Sequence, residues 1–134
     1  MTVSELGFNL VSFSELTDEH KEMLFGTDAK SERVEKQYGE YSFSVTQLAQ
    51  NIVRTVQAAI SLPAAHPSLT VLLPPGFRVV GGGARDSWSG AGNLLTASHP
   101  VFQGGQEGWF GAGKDHVVSD PARITVWAIG LSGI

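Results

Sequence analysis

Residues 76–86 of the chain read GFRVVGGGARD, and this stretch decides the fold class. The pair Val79 and Val80 favours a β-strand, and three glycines follow it directly. Glycine within a strand lets the backbone bulge, bend sharply or come close to another group. We therefore expect the sharpest backbone irregularity at residues 81–83. A bulge or barrel corner is the favoured explanation, and an edge that faces a ligand is the alternative.

Similar strand-like segments occur on both sides of this stretch, separated by turn residues about every ten positions, as in a sandwich or a small barrel. The predicted strands span residues 68–73, 77–82, 93–98, 108–113 and 122–131. The last of them is apolar on both faces, which predicts a central strand or a subunit interface. The sequence thus predicts a mainly β protein, an antiparallel sandwich or small barrel with one or two covering helices.

The first half of the chain carries helix signals. Thr17 with the two acids after it predicts a helix that begins there and ends near Gly26. A capping box and apolar residues at 3–4 spacing predict a second helix over residues 45–60, although its many β-branched residues leave a β alternative open. Residues 7–13 predict a short strand, and residues 27–40 a loop or frayed helix.

Composition divides the 134 residues into two parts. Residues 1–43 contain nine of the thirteen acids, and residues 76–134 contain thirteen of the sixteen glycines. Neither half is long enough to bury a comfortable core alone. We therefore predict a single domain over residues 1–134, with an acidic, partly helical cover over 1–67 and a glycine-rich β core over 68–134.

Charge and hydropathy exclude several classes of function. The formal net charge is −4 and the nine basic residues are scattered, so we expect no nucleic-acid partner. No apolar run approaches the length of a membrane span. The N-terminal residues do not resemble a secretory signal, which predicts a cytoplasmic protein and leaves leaderless export open.

Metal and cofactor motifs are missing from the sequence. The chain has no cysteine and therefore no disulfide framework or thiolate zinc site. Its four histidines lack ligand spacing, and the glycine-rich stretch fits neither a P-loop nor a dinucleotide-binding loop. We therefore expect no cofactor and no metal, with an oxygen-ligated calcium site at Asp115 and Asp120 as the open exception.

A shift of 29 residues aligns residues 82–86 with residues 111–115, since both contain small residues followed by a base and an acid. This weak repeat predicts two similar hairpin units whose tips, residues 85–93 and 114–120, lie side by side at one end of the sheet. Chance similarity is the alternative in a glycine-rich sequence.

The two tips and the strands beside them supply aromatic, amide, carboxylate and basic side chains. A sugar needs such a mixture, because its C–H faces stack on an aromatic ring while polar groups bind its hydroxyls. Trp88 is the expected stacking surface, although any single tryptophan can instead be a core or subunit-contact residue. The candidate ligand-binding residues are Arg85, Asp86, Trp88, Asn93, His99, Trp109, Lys114, Asp115 and His116.

Catalysis has weaker support in the sequence. Asp115 and His116 are adjacent, so on a strand their side chains point to opposite faces. A spatial combination of Ser98, His99 and Asp115 is conceivable, but no nucleophile motif is present. We therefore expect no catalytic residues, and a small enzyme that uses Asp115 and His116 is the second alternative.

Four pieces of the C-terminal half, residues 75–84, 95–100, 108–109 and 124–129, together resemble a glycine-rich β module of largely uncharacterised bacterial proteins. The resemblance covers about residues 73–131. It implies a β fold and no known activity, and no functional residue is carried over from it. Similar proteins often have one cysteine before the Pro-x-Gly stretch and another at the end of the last strand. Apolar residues or glycine occupy those places here, so the disulfide is missing.

These observations favour a non-catalytic ligand-binding module, with a carbohydrate, as in a lectin, or another small molecule as its ligand. The first alternative is an oligomeric structural or interaction protein. The apolar strand over residues 122–131, followed by Ile134, predicts self-association into a homo-oligomer.

Overall fold

The computed structural model describes residues 9–133, which form two antiparallel β-sheets and two short helices. The mainly β, sandwich-like architecture predicted from the sequence is confirmed. The elements in chain order are β1 (Val11–Ser12), α1 (Asp18–Phe25), α2 (Glu32–Tyr38), β2 (Ser42–Ala49), β3 (Ile52–Ile60), β4 (Ser68–Leu72), β5 (Arg78–Ser87), β6 (Asn93–Gln103), β7 (Gln106–Asp115) and β8 (Arg123–Ser132). Single 3₁₀ turns at Phe13–Glu15 and Gly26–Asp28 flank α1.

The larger sheet has five strands in the order β1-β2-β3-β8-β5, and the smaller sheet has the order β4-β7-β6. Strand β8 pairs with β3 on one side and β5 on the other, so the predicted central strand is confirmed. On its inner face Ile124, Val126 and Ala128 are fully buried. Because both hydrogen-bonding edges of β8 are occupied, this strand offers no free edge for pairing with a second chain.

One face of the larger sheet carries the core, and two kinds of element cover it. The smaller sheet packs over β8 and β5, where Gly111 lies against Val126. The helices pack over β2, where the Phe43 ring contacts the rings of Phe25 and Tyr38 at centroid distances of 6.1 and 6.4 Å. A single hydrophobic cluster thus includes residues from both halves of the chain.

The helix predicted over residues 45–60 is wrong, and the β alternative is correct. These residues belong to the β2–β3 hairpin, with register from Ser42 opposite Ala58 to Gln47 opposite Val53. The stiff β-branched side chains of this segment suit a pleated strand better than a helix. The backbone of β3 forms its hydrogen bonds with β8, a distant strand that the local helix signals do not reveal.

The predicted helix at Thr17 is confirmed, since the Thr17 hydroxyl accepts a hydrogen bond from the His20 amide at 3.1 Å. The helix ends at Gly26, whose φ of 62° glycine adopts readily. Within residues 27–40, α2 is a regular helix with Ser31 as its N-cap. The strand predicted over residues 7–13 is limited to Val11–Ser12 among the described residues, and its first two residues lie outside them.

The glycine run of β5 differs from its prediction. The register of β5 shifts between Val79 and Gly81, so the bulge lies just before the glycines. A Cβ on Gly82 would collide with the Trp109 ring, and one on Gly83 would collide with the Trp127 ring. Glycine is therefore required at positions 82 and 83 to make room for two indole rings.

Candidate functional site

The loops after β5 and β7 lie together at one end of the sandwich. A carboxylate oxygen of Asp120 accepts a hydrogen bond from the Gly92 amide at 2.6 Å. The backbone oxygen of Asp120 accepts another from the Asn93 side-chain amide at 3.0 Å. The two segments that the sequence predicted to be neighbours are thus joined through a single aspartate.

A third segment, residues 61–67, completes this end of the molecule. Ala64 forms an isolated β-bridge with Ala122, and the Ala65 carbonyl accepts from the Asp115 amide at 3.0 Å. The His66 Nε2 atom lies 3.0 Å from the Asp115 carboxylate. Sequence reasoning missed this segment, because an irregular proline-containing stretch has no periodicity that reveals its partners.

Trp88 forms one wall of a shallow groove of about 280 Å³ at this end. Its side chain is 51% exposed, which is unusual for a large aromatic residue. The remaining lining residues are Pro63, Ser87, Ser89, Pro121 and Arg123. The groove therefore combines an accessible indole face with a guanidinium group and hydroxyls.

Trp109 does not share this surface. Its ring lies between the two sheets against Gly82, and its Nε1 atom donates a hydrogen bond to the Ser98 hydroxyl at 2.9 Å. Trp109 is therefore partly buried between the sheets, and Trp88 is the tryptophan of the predicted pair that is exposed in the groove.

The other candidate residues differ in how deeply they are buried. Asp86 and Asn93 are buried beneath the loops, with exposed fractions of 9% and 0%. Arg85 and Lys114 are exposed near the loop end. His99 lies further along β6, where its ring contacts Phe110 at 5.3 Å, away from the Trp88 groove.

The proposed catalytic combinations are not assembled in this structure. Asp115 pairs with His66, whereas the exposed His116 follows the end of β7. The Ser98 hydroxyl is engaged by Trp109, and the His99 Nδ1 atom lies 2.9 Å from its neighbouring carbonyl at Pro100.

Metal ligation was a separate open expectation. Over residues 9–133 no three His, Asp or Glu side chains are grouped as metal ligands. The two aspartates suggested as calcium ligands have separate partners, since Asp115 contacts His66 and Asp120 contacts Gly92.

Asp86 has an unusual electrostatic environment. Burial raises the pKa of its carboxyl group, and the negative charge of Asp120 raises it further. The Ser87 amide opposes this shift in pKa, but it does not reach either Asp86 oxygen with hydrogen-bonding geometry. Burial and the charge of Asp120 thus both act against the ionised form of Asp86.

A second cavity of about 340 Å³ lies between the helices and the β4–β5 turn. Its walls include Leu24, Phe25 and Phe77. Polar groups at its surface contact one another, as in the Arg33–Asp28 ion pair at 2.6 Å.

Comparison with known proteins finds no matching family model, no matching curated protein and no matching solved structure. Among the described residues, neither helix has the length and apolar character needed to cross a membrane.

Proposed function

We propose that this protein is a non-catalytic binding module that holds a saccharide against Trp88. The observation that carries the proposal is the half-exposed indole of Trp88 in a groove at the loop end of the sandwich. Loops at one end of a rigid β scaffold are a frequent place for recognition. The fold alone does not define an activity, so the residues of the groove decide the function.

The groove offers the two kinds of contact that a sugar ring requires. The apolar C–H face of a pyranose stacks on an indole, and its hydroxyls accept or donate hydrogen bonds at the rim. Arg123 supplies donors and Ser89 a hydroxyl that does both. A volume of about 280 Å³ accommodates a single ring, either a monosaccharide or one unit of a longer chain.

The loop that carries Trp88 is well anchored. Its last residue, Gly92, is held by Asp120, and Asp120 lies next to Pro121 of the groove wall. The β-bridge between Ala64 and Ala122 fixes the opposite wall at Pro63. A groove that is ordered before binding loses less conformational entropy when the ligand arrives.

The proposal is tested with a glycan array, followed by titration of the best glycan with wild type, Trp88→Ala and Phe102→Ala. Loss of a stacking tryptophan costs about 1–3 kcal/mol, so Trp88→Ala should weaken binding by about five- to 150-fold. Phe102 is 74% exposed and lines a different groove, so Phe102→Ala should leave the affinity unchanged.

Circular dichroism should show the same fold for all three proteins. An array without any bound glycan, or equal affinity of Trp88→Ala and wild type, would refute the saccharide site.

Self-association is a second candidate function, with β6 as its contact. Strand β6 is an edge strand of the smaller sheet, and Leu94, Leu95 and Phe102 project from it with exposed fractions of 51%, 45% and 74%. A long apolar edge invites pairing with a second copy of the chain. This edge replaces β8 as the basis for a homo-oligomer, because β8 is paired on both sides.

Light scattering at micromolar concentration tests this candidate. A dimeric mass is expected for wild type and a monomeric mass for Leu95→Lys, because a lysine on the edge opposes pairing. A monomeric wild type contradicts the candidate.

A further inference from the structure

The side-chain amide of Asn93 has a fixed orientation. Its nitrogen donates to the carbonyl oxygens of Ala65 and Asp120, both at 3.0 Å. A reversed amide would place its oxygen against these two carbonyl oxygens and lose both hydrogen bonds. The Oδ1 atom of Asn93 must therefore occupy the other position, beside Asp86.

Asp86 and Asn93 place their oxygens in the same small space. A Cβ on Gly113 would lie 2.7 Å from Asn93 Oδ1 and even closer to Asp86 Oδ2. Asn93 Oδ1 and both Asp86 oxygens are buried without a hydrogen-bond donor among the described residues. If Asp86 were ionised, only acceptors would face one another in the interior, which is unfavourable.

We infer that Asp86 is a neutral carboxylic acid in the folded protein and that its proton forms a hydrogen bond to Asn93 Oδ1. A single proton turns one of the opposing acceptors into a donor. This assignment adds a buried proton-binding site beneath the loop end, and it does not depend on the saccharide proposal.

The charged groups around Asp86 agree with this assignment. Asp120 adds a negative charge from the β7–β8 loop. Asp115, at the end of β7, is paired with His66 from the segment before β4. In the register of β5 and β8, Arg85 and Arg123 alternate with the Asp86–Ile124 pair, so these cations project from the opposite face of the sheet.

The proton links pH to the order of the Trp88 loop. Ionised Asp86 would put a second negative charge near Asp120, whose carboxylate holds the Gly92 amide. Since Gly92 closes the loop that begins at Trp88, loss of the proton should loosen the loop end. The folded pKa of Asp86 lies above its unfolded value, so this stability is complete at low pH and is lost as pH rises.

The experiment compares urea unfolding of wild type, Asp86→Asn and Asp18→Asn between pH 4 and pH 8. An asparagine at position 86 keeps a donor for Asn93 and cannot ionise. The folding equilibrium constant of Asp86→Asn relative to wild type should rise with pH, by up to tenfold per pH unit from about pH 4 upward. Asp18 is exposed and lies 3.9 Å from Lys30, so Asp18→Asn is the control for the loss of one carboxyl group from the surface.

A constant or falling ratio for Asp86→Asn would overturn the inference. Infrared spectroscopy of wild type with ¹³C-labelled aspartate carboxyls gives a second measurement if the variant does not fold. One carboxylic-acid carbonyl band should persist to a higher pH than that of an aspartate in an unfolded chain, which ionises at about pH 4. Absence of that band, or stabilisation of wild type but not Asp86→Asn by added Ca²⁺, would instead indicate an ionised carboxylate.

Discussion

Gly82 and Trp109 illustrate how single residues adjust to each other inside this sandwich. Gly82 lies on the inner face of β5, and the ring of Trp109 from β7 covers it. The root of the indole, including Cγ and Cδ2, lies where a side chain would begin. A ring held so near its own backbone has little freedom to move aside, and interiors are close-packed.

Gly82→Ala should therefore destabilise the protein by about 1–3 kcal/mol through overpacking. Gly81→Ala is the matched control, since its Cβ would meet Ile129 at an ordinary 3.8 Å and its φ is not in the left-handed region. That control should change stability by less than about 1 kcal/mol. Urea unfolding measures both variants, and equal stabilities would contradict this account of the glycine run.

At the scale of elements, α2 is attached to the smaller sheet by a polar contact within an aromatic cluster. The Tyr38 hydroxyl donates to the Leu73 carbonyl at 3.4 Å and accepts from the Gln106 side-chain amide. Gln106 also donates to Leu73 at 2.9 Å. The helix thus contacts the end of β4 and the start of β7 at one point.

Tyr38→Phe should lower the free energy of unfolding by about 1–3 kcal/mol, because removal of a buried hydroxyl leaves partners unsatisfied. Tyr41→Phe is the comparison, since the Tyr41 hydroxyl is partly buried and has one carbonyl partner, at Thr70. Tyr41→Phe should therefore lower the free energy of unfolding by a smaller amount. Denaturant titration distinguishes the variants. A Tyr38→Phe protein as stable as wild type would show that this contact does not stabilise the fold.

At the scale of the whole molecule, the smaller sheet and the helices pack on the five-stranded sheet. The smaller sheet covers one part of its inner face and the helices cover the rest. This arrangement buries Tyr38, partly buries Tyr41 and places the loops of Trp88 and Asp120 at one end.

Tyr38 and Tyr41 make the stability of the protein sensitive to alkali. Burial raises the pKa of Tyr38 and Tyr41 above the ordinary value of about 10. The unfolded chain therefore loses these protons first, and stability that is complete below about pH 10 should fall as pH rises further. Urea unfolding from pH 9 to pH 11 should show a smaller loss for Tyr38→Phe/Tyr41→Phe. The same loss in both proteins would contradict the assignment.

Local sequence determined most of the β core. The strands between residues 68 and 132 are separated by turns with proline, glycine and polar residues, and each contains β-branched or aromatic residues that favour a strand. The Thr17 helix was predictable for the same reason, because its cap and its terminal glycine are local signals. The two loops meet as the weak repeat predicted. The two hairpin units that it also predicted are wrong, because β5 and β6 lie in different sheets, and so do β7 and β8.

Tertiary structure decided what local signals could not. Residues 45–60 contain helix and strand signals together, and pairing with β8 selected the strand. Trp109 has the same side chain as Trp88, yet packing against Gly82 places it inside the sandwich. The contact between His66 and Asp115 joins residues 49 positions apart, and such partners are set by the packing of the whole chain rather than by any short pattern within it.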